Sequence, residues 1–119
     1  MKAINFLKKK IFFFIFFIYF FIGISIVKDY GISIDEEFQR FSGFYWLSYV
    51  LEFLPFDNVR IDALNKLNNI QGLTLPNPKD FPFYGVVFDL PLAFLETIFK
   101  IDSSKSYFLL RHQATFIIF

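Results

Sequence analysis

The chain of 119 residues contains no cysteine, one histidine, five glycines and five prolines. Without cysteine there can be no disulfide framework and no thiolate zinc site. A single histidine, His112, has no second imidazole with which to form a zinc centre. The near-balanced charge, +1 overall, leaves none of the electrostatic footprint that nucleic acid requires, so no nucleic-acid partner is expected. No glycine-rich phosphate loop and no nucleophile elbow are present. Alanine is also scarce, whereas phenylalanine reaches 21 residues and apolar residues 55%. That composition excludes disorder, which needs few aromatics and much net charge.

The charge is unevenly placed. Lys2, Lys8, Lys9 and Lys10 precede any acid, and from Lys28 onward acids outnumber bases. Between the two regions, Ile11–Val27 carries no charge and holds seven Phe and six Ile. As a helix it would be about 25 Å long, close to the roughly 30 Å of bilayer hydrocarbon. Lysines can snorkel at the near interface and Tyr30 can sit at the far one. The positive-inside rule then predicts a cytoplasmic N-terminus. The competing reading is a cleaved signal peptide followed by a secreted globular domain. The apolar run is longer than a usual signal core, and no small-x-small site precedes Lys28.

Beyond the span, Ser33-Ile34-Asp35-Glu36 fits a capping box. Phe38, Phe41, Phe44, Tyr45, Leu47, Leu51 and Leu54 follow at helical spacing, predicting an amphipathic helix that ends before Pro55. With Tyr45 and Trp46 it suits the membrane interface. Ile61, Leu64, Leu67 and Ile70 predict a second helix stopped by Gly72, and residues 73–82 read as a loop. Pro91 predicts the start of a third helix, Leu92–Ile101, with Asp89 as its cap. Ser103 or Ser104 can cap a fourth, running into Phe116–Phe119. The expected fold is an all-α membrane protein. It has a basic tail (1–10), one N-terminal transmembrane helix (11–27), an extracytoplasmic loop with amphipathic interfacial helices (28–107), and the start of a second transmembrane helix (108–119). The apolar end suggests the front of a longer multi-pass protein.

Two acidic positions and one basic pair can carry chemistry. Asp35, Glu36 and Glu37 lie just past the outer end of the span. They suit the positive end of a helix dipole, and Asp35 there also suits a general base at the membrane surface. Asp89 reads as a capping acid. Arg111-His112 reads either as interfacial anchors or as a contact to a phosphate or lipid head group.

Taken in order, these pieces resemble the N-terminal region of multi-pass glycosyltransferases of the GT-C fold, the protein mannosyltransferases and aminoarabinose transferases. The resemblance rests on a span with its N-terminus inside, Asp35-Glu36 just outside, an acid (Asp89) before Pro91-Leu92, and Arg111 at the head of the next apolar run. It implies Asp35 as catalytic base, with Glu36 beside it and Asp89 as a second active-site acid. It further implies Arg40, Arg111 and His112 toward the phosphate of a polyprenyl-phosphate sugar donor. The partners implied are that donor and membrane lipid, and the setting is the bacterial inner membrane. No metal site is expected; a divalent cofactor is compatible with the family and none is required by the sequence. The pattern departs from the family's Pro-Pro-Leu motif at Leu90, and Asp35 and Pro91 stand farther apart than expected. The alternative is a non-catalytic two-span membrane subunit or scaffold.

Overall fold

A computed structural model describes residues 2–70, 76–80 and 86–118, and every element among them is helical. Five α-helices run in order: α1 (Lys2–Val27), α2 (Ile34–Leu51), α3 (Asp57–Ile70), α4 (Val86–Ile98) and α5 (Ser104–Ile118), with a 3-10 turn at Pro78–Asp80 before α4. They divide into two compact units, of the described residues 2–31 with 111–118, and those within 32–110.

In the first unit, α1 is long and apolar enough to cross a membrane; its stretch Lys8–Val27 covers 20 residues, about 30 Å of helix. No other described helix meets that description. The basic segment expected as a tail is instead the first turns of this helix, because Lys, Ala and Leu are all good helix formers. Nearly every side chain from Ile11 to Phe21 is exposed, Phe14 and Tyr19 most of all. The C-terminal half of α5 meets α1 at Gly23, where the absent side chain leaves room for the Phe116 ring, and Phe116 also approaches Phe20 at 5.9 Å.

The second unit is built on α2. Ser33 caps it as the sequence predicts: its hydroxyl accepts from the Asp35 amide, and the Glu36 carboxylate accepts from the Ser33 amide at 3.0 Å. Phe41, Phe44, Leu47 and Leu51 form its buried stripe, at spacings of three and four. Ala63, Leu67 and Ile70 of α3 and Ala93 of α4 close the core against it. α2 ends before Pro55 as expected, but two residues of the expected stripes, Leu54 and Ile61, lie outside the core. α2 ends at Leu51 in tight turns that carry the chain past Pro55, leaving Leu54 exposed. α3 begins at Asp57, and Ile61 lies outside the core, its place taken by Ala63. The expected stop at Gly72 lies outside the described residues.

The third predicted helix is corrected more sharply. α4 starts at Val86, so Pro91 sits inside it and Asp89 lies within its first turn. A proline there forfeits the bond to the carbonyl four residues back. That carbonyl belongs to Val87, a residue 92% exposed, where a surrounding solvent can reach it. The helix forms through the proline because Leu92 and Ala93 bury against the unit beyond it. It ends at Ile98: Ile101 N–H donates to the Glu96 carbonyl and Lys100 N–H to that of Thr97, with Lys100 at φ 50°. This is a Schellman closure on a non-glycine residue. α5 follows, its first free amides met by the Ser103 carbonyl. It runs through residue 108, where a new segment was expected to begin.

The α2–α4 seam is set by Gly43. A Cβ placed there would stand 2.5 Å from the Asp89 carbonyl oxygen and 2.9 Å from its carbon. Backbone rather than a flexible side chain is the obstacle, so Gly43→Ala must push the helices apart. The expected loss is about 1–3 kcal/mol, read as a lowered thermal midpoint of the far-ultraviolet circular dichroism signal in detergent.

Candidate functional site

Glu96 is 1% exposed and stands in the last turn of a largely apolar helix. A carboxylate so placed needs partners, since burying an unpaired charge is prohibitive. Arg40, one turn and a half into α2, supplies them. Its Nε donates to both Glu96 oxygens, at 3.0 and 3.2 Å, and Nη2 donates to Oε1. The face of the guanidinium lies 3.8 Å from the centroid of the buried Tyr107 ring and 5.2 Å from that of Phe44. This stacking suits the weakly hydrated, planar cation.

Lys66 of α3 extends the network. Its ammonium lies 3.8 Å from Glu96 Oε1 and donates at 2.7 Å both to the Ile101 carbonyl and to the Asp102 carboxylate. The Ile101 carbonyl points to Lys66 from the turn that closes α4, so a cation meets the negative end of that helix. Asp102 is on the surface, and the hydrogen bond and charge of Lys66 hold its carboxyl below the ordinary 3.8. One chain of charges therefore joins α2, α3, α4 and the turn into α5.

The residues singled out from sequence are distributed differently. Asp35 is exposed at the first turn of α2, and Glu36 is engaged in the cap. Asp89 is 2% exposed, its backbone against Gly43. Arg40 opposes Glu96 while Gly43 opposes Asp89, so α2 and α4 run antiparallel. Gly43 lies eight residues past Asp35, about 12 Å of helix. The structure thus does not gather Asp35 and Asp89 into one cluster. Arg40 is joined to Glu96. Arg111 is buried, and His112 meets the edge of Tyr30 with ring centroids 6.5 Å apart. Among the described residues no three His, Asp or Glu side chains converge as metal ligands do.

Glu96, Lys66 and Tyr107 were not anticipated. A signal was nonetheless present: Glu96 is the only charge between Asp89 and Lys100 in an otherwise apolar run, and such an acid needs a partner wherever the helix packs.

Removing Glu96 strands Arg40. Glu96→Ala should cost about 3–5 kcal/mol, whereas Arg40→Leu combined with Glu96→Leu should recover most of that loss; thermal midpoints of the two variants and the wild type in detergent decide it. Asp102 gives a pH signature. Its carboxyl is held lower in the folded chain than in the unfolded one, so its contribution is fully present above about 3.8. That contribution fades as pH falls through the lowered value. Asp102→Asn should flatten the fall in thermal midpoint between pH 5 and pH 3 (roughly the window of such a titration), while leaving the midpoint's pH dependence above 5 as in the wild type.

A scan of the chain against models of protein families finds no match, and searches of the curated proteins and of the solved structures find none.

Proposed function

We propose that this chain is the membrane-anchored front of a GT-C-type glycosyltransferase. In this reading α1 crosses the bacterial inner membrane with its N-terminus in the cytoplasm, and α5 leads into a second span. The helices of the second unit stand on the extracytoplasmic side, where a sugar passes from a polyprenyl-phosphate donor to an acceptor. The observation that carries the reading is the position of Asp35: an exposed carboxylate at a capped helix start, eight residues past the end of a helix able to cross a membrane. A donor with its prenyl tail in lipid presents its sugar at that level, and a base for the acceptor must stand within hydrogen-bond reach there.

In such a transfer Asp35 takes the acceptor proton as the acceptor atom bonds to the anomeric carbon. The bond from that carbon to the phosphate oxygen breaks, and the polyprenyl phosphate leaves with the electron pair. Arg111 and His112 are the cations assigned to that phosphate, where fixed positive charge is worth most as the leaving group develops its own. Glu36 positions the helix start through its cap, and Asp89, buried and apart from Asp35, takes no part in the proton transfer. Arg40, joined to Glu96, serves the site by holding α2 in place.

A second reading, a non-catalytic membrane subunit, is favoured by the separation of Asp35 from Asp89 along α2. The two readings part on one substitution. With the gene at its own locus, membranes supplied with polyprenyl-phosphate mannose or polyprenyl-phosphate aminoarabinose should lose transfer about 100-fold or more in Asp35→Asn, as loss of a general base does. The thermal midpoint should stay unchanged. Transfer at the wild-type rate, or none in the wild type, favours the subunit.

A further inference from the structure

Helix α4 is apolar on its outer side as well as toward the core, where Leu90 and Phe94 also pack. Its buried face carries Asp89, Glu96 and Thr97 beside Leu92 and Ala93, while Val87, Pro91, Leu95 and Ile98 point outward, followed by Phe99 at 69% exposure. The exposed residues recur at steps of four, four and three, one continuous stripe opposite the acids. A helix facing water shows the reverse pattern. α3, in the same unit, does show it: Asp57, Asn58, Asp62, Asn65, Asn68 and Asn69 are exposed over a buried Ala63, Leu67 and Ile70. A single small unit therefore carries one helix built for water and one built for an apolar surround. Ionisable groups turned toward the protein interior and paired there are the arrangement expected of helices in lipid.

Helix α2 and the turn after it carry an aromatic row of their own. From Phe41 to Leu51 it has no charged residue, and opposite its buried stripe the rings of Trp46, Tyr49 and Phe53 form a ladder with centroids 6.1 and 5.4 Å apart. Leu54 and Phe56 are exposed in the turn that follows. Tryptophan and tyrosine favour the boundary between head groups and acyl chains.

We infer that the outer stripe of α4 lies in the interface of a lipid bilayer with α3 turned to water. Lipid is the occupant for three reasons. The stripe itself bears no charge with which to fix a protein partner's register. α4 has 13 residues, about 20 Å, too short to span and the length of an interfacial or re-entrant segment. The six residues 28–33 between α1 and α2 reach at most about 20 Å, so a chain anchored through α1 holds the start of α2 within about that distance of the membrane. The inference does not rest on the glycosyltransferase reading; it needs only that α1 is in the bilayer.

Because the chain has no cysteine, single nitroxide labels report cleanly. The full chain would be reconstituted in vesicles of phosphatidylethanolamine and phosphatidylglycerol, labelled in turn at Val87→Cys, Ile98→Cys, Asp62→Cys, Asn69→Cys and Phe14→Cys. Collision with oxygen and with a water-soluble nickel chelate is then compared. The labels at 87 and 98 should show an oxygen-to-nickel ratio several-fold above those at 62 and 69 and no higher than that at 14. Nickel access at 87 and 98 equal to that at 62 overturns the inference. So does low access to both reagents, which marks a face covered by protein, a second copy included. A water-exposed label at 14 overturns both this inference and the anchored reading, whereas lipid at 14 with water at 87 and 98 overturns this one alone. Positions 87 and 98 lie on the exposed stripe, so substitution there leaves the core intact, which an unchanged helical circular dichroism spectrum verifies.

Discussion

The arrangement of the second unit depends on where one carboxylate finds its counter-charge. Taking Glu96 and Arg40 out of water costs several kcal/mol for each ion in a real protein. The attraction between them is repaid only in good geometry, which the two-oxygen contact of Arg40, the Tyr107 face and the nearby Lys66 provide. A buried pair of this kind adds little net stability, but it penalises every alternative packing that would leave either charge alone. Sliding α4 by one turn along α2 would strand Glu96 and drive the Asp89 backbone away from the gap at Gly43. The ion pair and the missing side chain thus select the same antiparallel register by opposite means, one attractive and one steric.

That constraint shapes what chemistry is available. Arg40 looked from sequence like a cation for an anionic ligand, one turn beyond Asp35; in the fold it is structural. Asp89 is buried in the first turn of α4, while Asp35 remains at the surface, where a capped helix start gives a carboxylate a fixed position and a favourable field. Of the two acids that the sequence singled out, only Asp35 is therefore open to the surroundings.

Much of this was legible in the residues. The capping box at Ser33 and Glu36 and the stripe through Phe41, Phe44, Leu47 and Leu51 were readable because each depends only on neighbours within one or two turns. The start of α4 was misplaced for a definite reason. Proline favours the first helical position, so Pro91 read as a beginning; but a lost hydrogen bond at an exposed carbonyl is a small cost beside the burial of Leu92 and Ala93. The Arg40–Glu96 pair could not be read at all from spacing, since its members are 56 residues apart and their meeting is decided by tertiary register. Only the need for some partner was visible, in a single acid stranded among apolar residues.

The same reasoning explains why periodicity named the right helices but said little about what surrounds them. Reading amphipathicity presumes that the apolar face is the buried one. On α3 the presumption holds, and on α4 it fails, because the acids face the core beside Leu92 and Ala93 while Val87, Leu95 and Ile98 face out. Pro91 fits that design: the carbonyl it leaves unbonded belongs to Val87 on the outer stripe. At the depth of lipid head groups such a carbonyl can still find water, whereas in the hydrocarbon core it would cost several kcal/mol. The position of the proline thus argues for a helix lying at the interface, with its N-terminal turns no deeper than water reaches, and against one that plunges through the bilayer.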